Sequence, residues 1–301
     1  MSKDKAKELE IVLKARDFIR ESGINSVPVD LKRYCAVAKA KIKVRYDLDD
    51  EESGQTFPLN SKNIITVNGN HTEERQRFTV LHEIGHIILE LPSRHQNGCI
   101  KTTDLISYRQ RPEEEVLCDI FAAECLLPYD FFEKDIEDVD ICLDTIKNLS
   151  KRYKASIHST GSRFAANCEG LCSFVLIEEG KIRYVSSSKS LRELKGWIDI
   201  GVPVPQNSAA FQLIKNRSET EHYDDEIPTE IWFNNGIGNY DMLCEEAIFI
   251  KEWNQCLSIL WFDENLRPAG EIEPYDVDYG ESSLPREFDG VLTWPSRSRR
   301  R

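Results

Sequence analysis

A chain of 301 residues, 40% hydrophobic and 30% charged, has the length for two domains and the composition of a folded, water-soluble protein. Its net charge of −13 argues against indiscriminate binding to nucleic acid or to anionic membranes, though not against a local basic patch. No apolar run approaches the ~18 residues of a membrane span, "MSKDKAKELE" lacks the apolar stretch of a signal peptide, and nine scattered cysteines without a CxxC pair read as free thiols in a reducing cytoplasm.

In chain order, Leu9, Val12, Leu13 and Ile19 recur at helical spacing over residues 4–22, and Gly23 stops the pattern. A second helix is expected over 30–40. "KIKVRYDL" alternates as a strand does, and "NIITVNGN", apolar, β-branched and closing on Asn-Gly, predicts another strand. This second strand is a candidate edge onto which an extended peptide could add by backbone pairing. Thr72 starts a helix with Glu73 and Glu74 in its first turn, and Pro92 ends it near Leu91. Residues 92–111 read as a loop, Glu113–Cys125 as a helix, and Pro128 opens a further one.

Two short helices joined near "YKAS" are expected over 140–168. Beyond Gly170, "LCSFVLIEEGKIRYVSSS" predicts two strands around a Glu-Gly turn and "AIFIKEWNQCLSILWF" a second pair, with one helix at 207–216 between them. Residues 268–301 read as irregular, and the terminal "PSRSRRR" as a tail.

The chemistry concentrates in "VLHEIGHIILE", residues 80–90. Helix positions four apart share a face, so His82 and His86 can reach one cation. Glu83, rotated by about 100°, is placed to take a proton from water beside that ion, as in HExxH zinc hydrolases. Gly85 lets another backbone approach this helix. Three sources compete for a third ligand. Glu90 lies one turn further, about 6 Å along the axis. His95 sits in the loop. The next helix offers Glu113, Glu114 and Glu115, with Glu115 and Asp119 on one face, so Glu115 can ligate while Asp119 accepts a hydrogen bond from a ligand histidine. A metzincin would need Gly at position 89 and His at 92; Leu89 and Pro92 stand there. Tyr108, Tyr129 and His95 are candidate oxyanion donors. Cys99 and Cys118 are candidate thiolates for a switch that caps the metal. The basic stretch "KNLSKRYKASIHSTGSR" fits either a helix-turn-helix touching DNA or a solvated packing face.

"ERQRFTVLHEIGHIILE", the later "EEVLCDIFAAECLLP" and the strand "NIITVN" resemble the ImmA/IrrE family of metallopeptidases over about residues 54–128. The departures are Asp119, where Asn is also common, and Cys125-Leu-Leu-Pro in place of Leu-Leu-Met-Pro. The resemblance implies one Zn2+ per chain, with His82, His86 and Glu115 as ligands and Glu83 as general base, in a gluzincin-type site. It implies an α+β chain: a zincin-like peptidase domain with a mainly helical core and small sheet over 1–139, a helical helix-turn-helix-like segment over 140–169, a GAF-like α+β sensory domain over 170–267 and a tail over 268–301. It also implies a cytoplasmic endopeptidase that cuts a helix-turn-helix repressor in response to a stress, DNA-damage or phage signal, with a small molecule or nucleic acid as activator at the C-terminal domain. The competing reading is a DNA-binding transcriptional regulator with a structural or sensory metal site, which would have no use for Glu83.

Overall fold

The computed structural model describes residues 3–59, 62–92, 112–216, 221–234 and 236–263. His95, Cys99, Tyr108 and the tail from 268 lie outside the described residues. The architecture is α+β, and the chain divides into two compact units. The first holds the residues to Lys134 together with Ser150–Ser156; the second takes Asp135–Leu149 and resumes at Ile157.

In the first unit, helix α1 (Lys3–Glu21) and helix α2 (Leu31–Val37) precede strands β1 (Ala40–Arg45), β2 (Gly54–Leu59) and β3 (Lys62–Asn68). The second helix is shorter than expected because the chain turns into β1 at Ala40. Helices α3 (Glu73–Ile88), α4 (Glu113–Leu126) and α5 (Tyr129–Asp135) follow. Thr72 caps α3, its hydroxyl accepting from the Arg75 amide.

The sheet order is β1-β3-β2, with β1 parallel and β2 antiparallel to β3. "NIITVN" is therefore the central strand, which corrects the edge-strand expectation. Its run Ile65, Thr66, Val67 and Asn68 is buried throughout, as befits a strand flanked on both sides. The edge next to it is β2, "GQTFPL", which the hydropathy pattern does not announce because Gly54 and Pro58 interrupt it. Proline, lacking an N–H, is tolerated on an edge. Helix α3 lies between this sheet and α4, so nearly its whole circumference from Thr79 to His86 is buried. Phe18 of α1 packs on Tyr34 and Phe121, and the Tyr34 hydroxyl donates to the Cys125 carbonyl at 3.0 Å, tying α1, α2 and α4 together.

The second unit contains most of α6 (Leu143–Tyr153, whose end from Ser150 belongs to the first unit), α7 (Ile157–Asn167), β4 (Cys172–Glu178) and β5 (Lys181–Ser187). The short helices α8 (Lys189–Glu193) and α9 (Ala209–Lys215) lead to β6 (Glu221–Pro228), β7 (Met242–Ile250) and β8 (Gln255–Trp261). These strands form one antiparallel sheet ordered β5-β4-β8-β7-β6. The two expected strand pairs and the helix at 207–216 are present; β6, polar and acidic in sequence, is an addition. A buried carboxylate fastens this unit: Glu245 accepts from the Ala209 and Ala210 amides at 3.0 Å each, from Trp232 Nε1 at 2.9 Å and from Ser258 Oγ at 2.9 Å. Burial nevertheless pushes its pKa up, against the pull of those four donors.

Candidate metal centre

His82 and His86 stand one turn apart on α3, buried, with ring centroids 4.9 Å from each other. Both rings are fixed from behind. His82 Nδ1 lies 2.8 Å from Asp119 Oδ1 of α4, and His86 Nδ1 lies 3.3 Å from the Leu91 carbonyl. A carboxylate and a carbonyl only accept, so each Nδ1 carries a proton and each Nε2 turns its lone pair inward. The Leu91 carbonyl arrives there because Glu90 adopts a left-handed conformation (φ 53°), which folds the chain back after the helix. Glu90 thus ends the helix; it is not among the converging donors.

The inward atoms meet. His82 Nε2 lies 3.1 Å from His86 Nε2 and 3.1 Å from Glu115 Oε2, and His86 Nε2 lies 3.6 Å from Glu115 Oε1. Among the described residues, His82, His86 and Glu115 are the group able to hold a metal ion, with donor atoms within 4.8 Å of one another. Donors bound at about 2.0–2.2 Å around a tetrahedral ion sit about 3.3–3.6 Å apart; the observed 3.1, 3.1 and 3.6 Å come within about 0.2 Å of that range. Three buried acceptors facing one point also require positive charge between them. The His82 pKa reports the same demand: burial opposes its protonation, but the hydrogen bonds to Asp119 and Glu115 prevail and raise it to about 10. A cation satisfies this need without a proton.

Glu115 reaches α3 because the two helices approach closely at Gly85. A Cβ there would lie 3.3 Å from Cys118 Cα and 3.3 Å from Cys118 Cβ. Glu113 and Glu114 stand in the first turn of α4, where their charge favours the helix dipole, and Glu113 pairs with Lys7 at 2.6 Å. Glu83 is fully buried beside the cluster. Its Oε2 accepts from the Thr56 hydroxyl of β2 at 2.7 Å, while Oε1 is buried without a hydrogen-bond partner. Thr56 is the residue of this site that sequence reasoning missed. Its only signal was a two-residue gap between "GQTFPL" and "KNIITVN", the spacing of a hairpin.

Of the remaining candidates, Tyr129 donates its hydroxyl to Glu133 at 2.5 Å and stacks its ring under Arg16. Cys118 is buried against Gly85, and its sulfur is not among the donors that converge. In the basic stretch, Lys147 pairs with Asp144 and Glu221, Lys154 pairs with Glu73, and Arg163 is fully buried. No described helix is long and apolar enough to cross a membrane.

Comparisons with known proteins meet this geometry. Among solved structures, a Mycobacterium tuberculosis transcriptional regulator has a similar fold, with a TM-score of 0.53 and 12% identity, over 84% of this chain and 76% of that one. No curated protein matches the sequence. Residues 37–164, which contain both metal-site helices, match the IrrE N-terminal-like domain of peptidase family M78. That match supports a metallopeptidase of the ImmA/IrrE kind over this segment of the chain.

Proposed function

We propose that the chain is a cytoplasmic, zinc-dependent endopeptidase of the gluzincin type, and that its substrate is a helix-turn-helix transcriptional repressor cut in response to a stress, DNA-damage or phage signal. The observation that carries the catalytic reading is Glu83: a fully buried carboxylate with one oxygen tied down and the other unengaged, next to three converging donors. A purely structural metal site needs the donors and gains nothing from such a neighbour. Cysteines without disulfides among the described residues accord with a reducing compartment.

His82 Nε2, His86 Nε2 and Glu115 would hold the zinc, and Asp119 and the Leu91 carbonyl keep both imidazoles in the tautomer that presents Nε2. Bound there, zinc supplies Lewis acidity, polarising the scissile carbonyl and lowering the pKa of water toward about 7. Glu83 Oε1 takes the proton of the attacking water and delivers it to the leaving amine. The apolar neighbours Leu81 and Ile84, both fully buried, keep bulk water from screening these charges. The edge strand β2 offers backbone pairing to an extended substrate. A second unit built on an antiparallel sheet is consistent with the GAF-like sensory role, in which a small molecule or nucleic acid activates the peptidase.

The test is co-expression with candidate helix-turn-helix repressors, taken first from any gene adjoining this one, comparing wild type with Glu83→Gln. We expect wild type to cleave and the variant to be slower by at least 100-fold, with zinc content unchanged. Equal cleavage by both proteins would remove Glu83 from the mechanism.

A further inference from the structure

Two residues of β2 and two of α3 meet in matched pairs. On the strand, Gly54 and Thr56 are two apart and share a face. On the helix, Thr79 and Glu83 are four apart and share a face. Two strand residues advance about 6.8 Å and four helix residues about 6 Å, so the two elements can run in step. A Cβ on Gly54 would fall 2.5 Å from Thr79 Cγ2 and 2.7 Å from the Thr66 carbonyl oxygen, so only glycine permits this approach. With the strand seated there, Thr56 Oγ1 comes to 2.7 Å from Glu83 Oε2.

The contact selects between the two carboxylate oxygens. The terminal torsion of a glutamate is broad and nearly two-fold, so an untethered carboxylate swings. The hydroxyl of Thr56 engages Oε2 and leaves Oε1, buried and without a hydrogen-bond partner, as the less stabilised oxygen and so the better proton acceptor. We infer that Thr56 is a positioning residue for Glu83: it fixes the orientation of the general base from the edge strand, and Gly54 sets the strand-to-helix distance that makes this reach possible. The inference rests on the proposed role of Glu83 as base.

The experiment compares full-length wild type, Thr56→Val, Thr56→Ala and Thr56→Ser, each purified with and without zinc. Thr56→Val keeps the β-branched shape and removes the hydroxyl; Thr56→Ala is a second hydroxyl-free variant that cannot crowd the helix; Thr56→Ser restores the donor. In metal-free crystals we expect one Glu83 orientation in wild type and Thr56→Ser, and more than one in the hydroxyl-free variants. With the repressor as substrate, we expect kcat to fall 10- to 100-fold in Thr56→Val and Thr56→Ala. KM and zinc content should stay within about two-fold, and Thr56→Ser should recover most of the rate. A single unchanged Glu83 orientation in the hydroxyl-free variants, or wild-type kcat in them, overturns the positioning role. Glu83→Gln run in parallel separates the two ideas. If it retains activity, the proposed base is wrong. If it is inactive while Thr56→Val is not, only the positioning role falls.

Discussion

At the scale of single residues, the centre is built from converging donors whose spacing calls for positive charge between them, from a proton on His82 or from a bound cation. Asp119 contributes at one remove. It touches His82 Nδ1, not the donor cluster, yet it decides which imidazole nitrogen is available. Asp119→Ala should therefore leave the fold intact and weaken zinc binding about 10- to 100-fold, read by competition with a chromophoric chelator; unchanged affinity would show that the histidine tautomer is set elsewhere. His82, Glu83 and His86 were legible in the sequence because helical spacing alone places them. Glu115 and Asp119 repeat that spacing on the next helix, but choosing Glu115 over Glu90 and His95 took the resemblance to the ImmA/IrrE family. Thr56 and the Leu91 carbonyl were not legible. A threonine in a broken hydropathy pattern looks like any other, and a backbone carbonyl has no side chain to advertise it.

At the scale of elements, the site depends on how closely α3 and α4 pack, and Gly85 sets that distance. Alanine there places its methyl 3.3 Å from Cys118, a crowding that α4 can relieve by moving a few tenths of an ångström. The helix gains about 1 kcal/mol in propensity from Gly to Ala, which offsets the strain. Valine adds two γ-carbons to the same gap and forces α4 outward, carrying Glu115 with it. We expect Gly85→Ala to melt near wild type, and Gly85→Val to lose at least tenfold in zinc affinity and about 1–3 kcal/mol in stability. Thermal unfolding and chelator titration of the same samples check both halves; wild-type zinc affinity in Gly85→Val would mean that Glu115 does not depend on this contact. Helix α3 was readable because its capping residue Thr72 and its periodicity agree. The sheet order was not, since edge and centre differ by which strands dock, and "NIITVN" is central only because "GQTFPL" pairs with it.

At the scale of the whole molecule, the two units have different vulnerabilities. The second carries His158, whose ring packs on Phe174 and Tyr184 and whose buried Nε2 has no hydrogen-bond partner. Burial lowers its pKa from 6.5 to about 4. The folded state thus refuses a proton that the unfolded chain accepts below pH 6.5. The stability this group contributes is complete above that value and is lost as pH falls toward 4, by up to about 3 kcal/mol. Urea unfolding at pH 7 and pH 4.5 should show a larger loss of stability in wild type than in His158→Phe; equal losses would mean that His158 takes up its proton alike in the folded and unfolded states. The first unit answers to a different variable. Its donors come from α3 and α4, with His82 and Glu115 separated by 33 residues of chain, so a bound ion staples two segments that are distant in sequence. By mass action, each tenfold rise of free metal above the dissociation constant adds about 1.4 kcal/mol to the folded state. A chain that binds metal at this centre would therefore unfold less often where metal is plentiful, and metal supply would set its lifetime as well as the occupancy of its site.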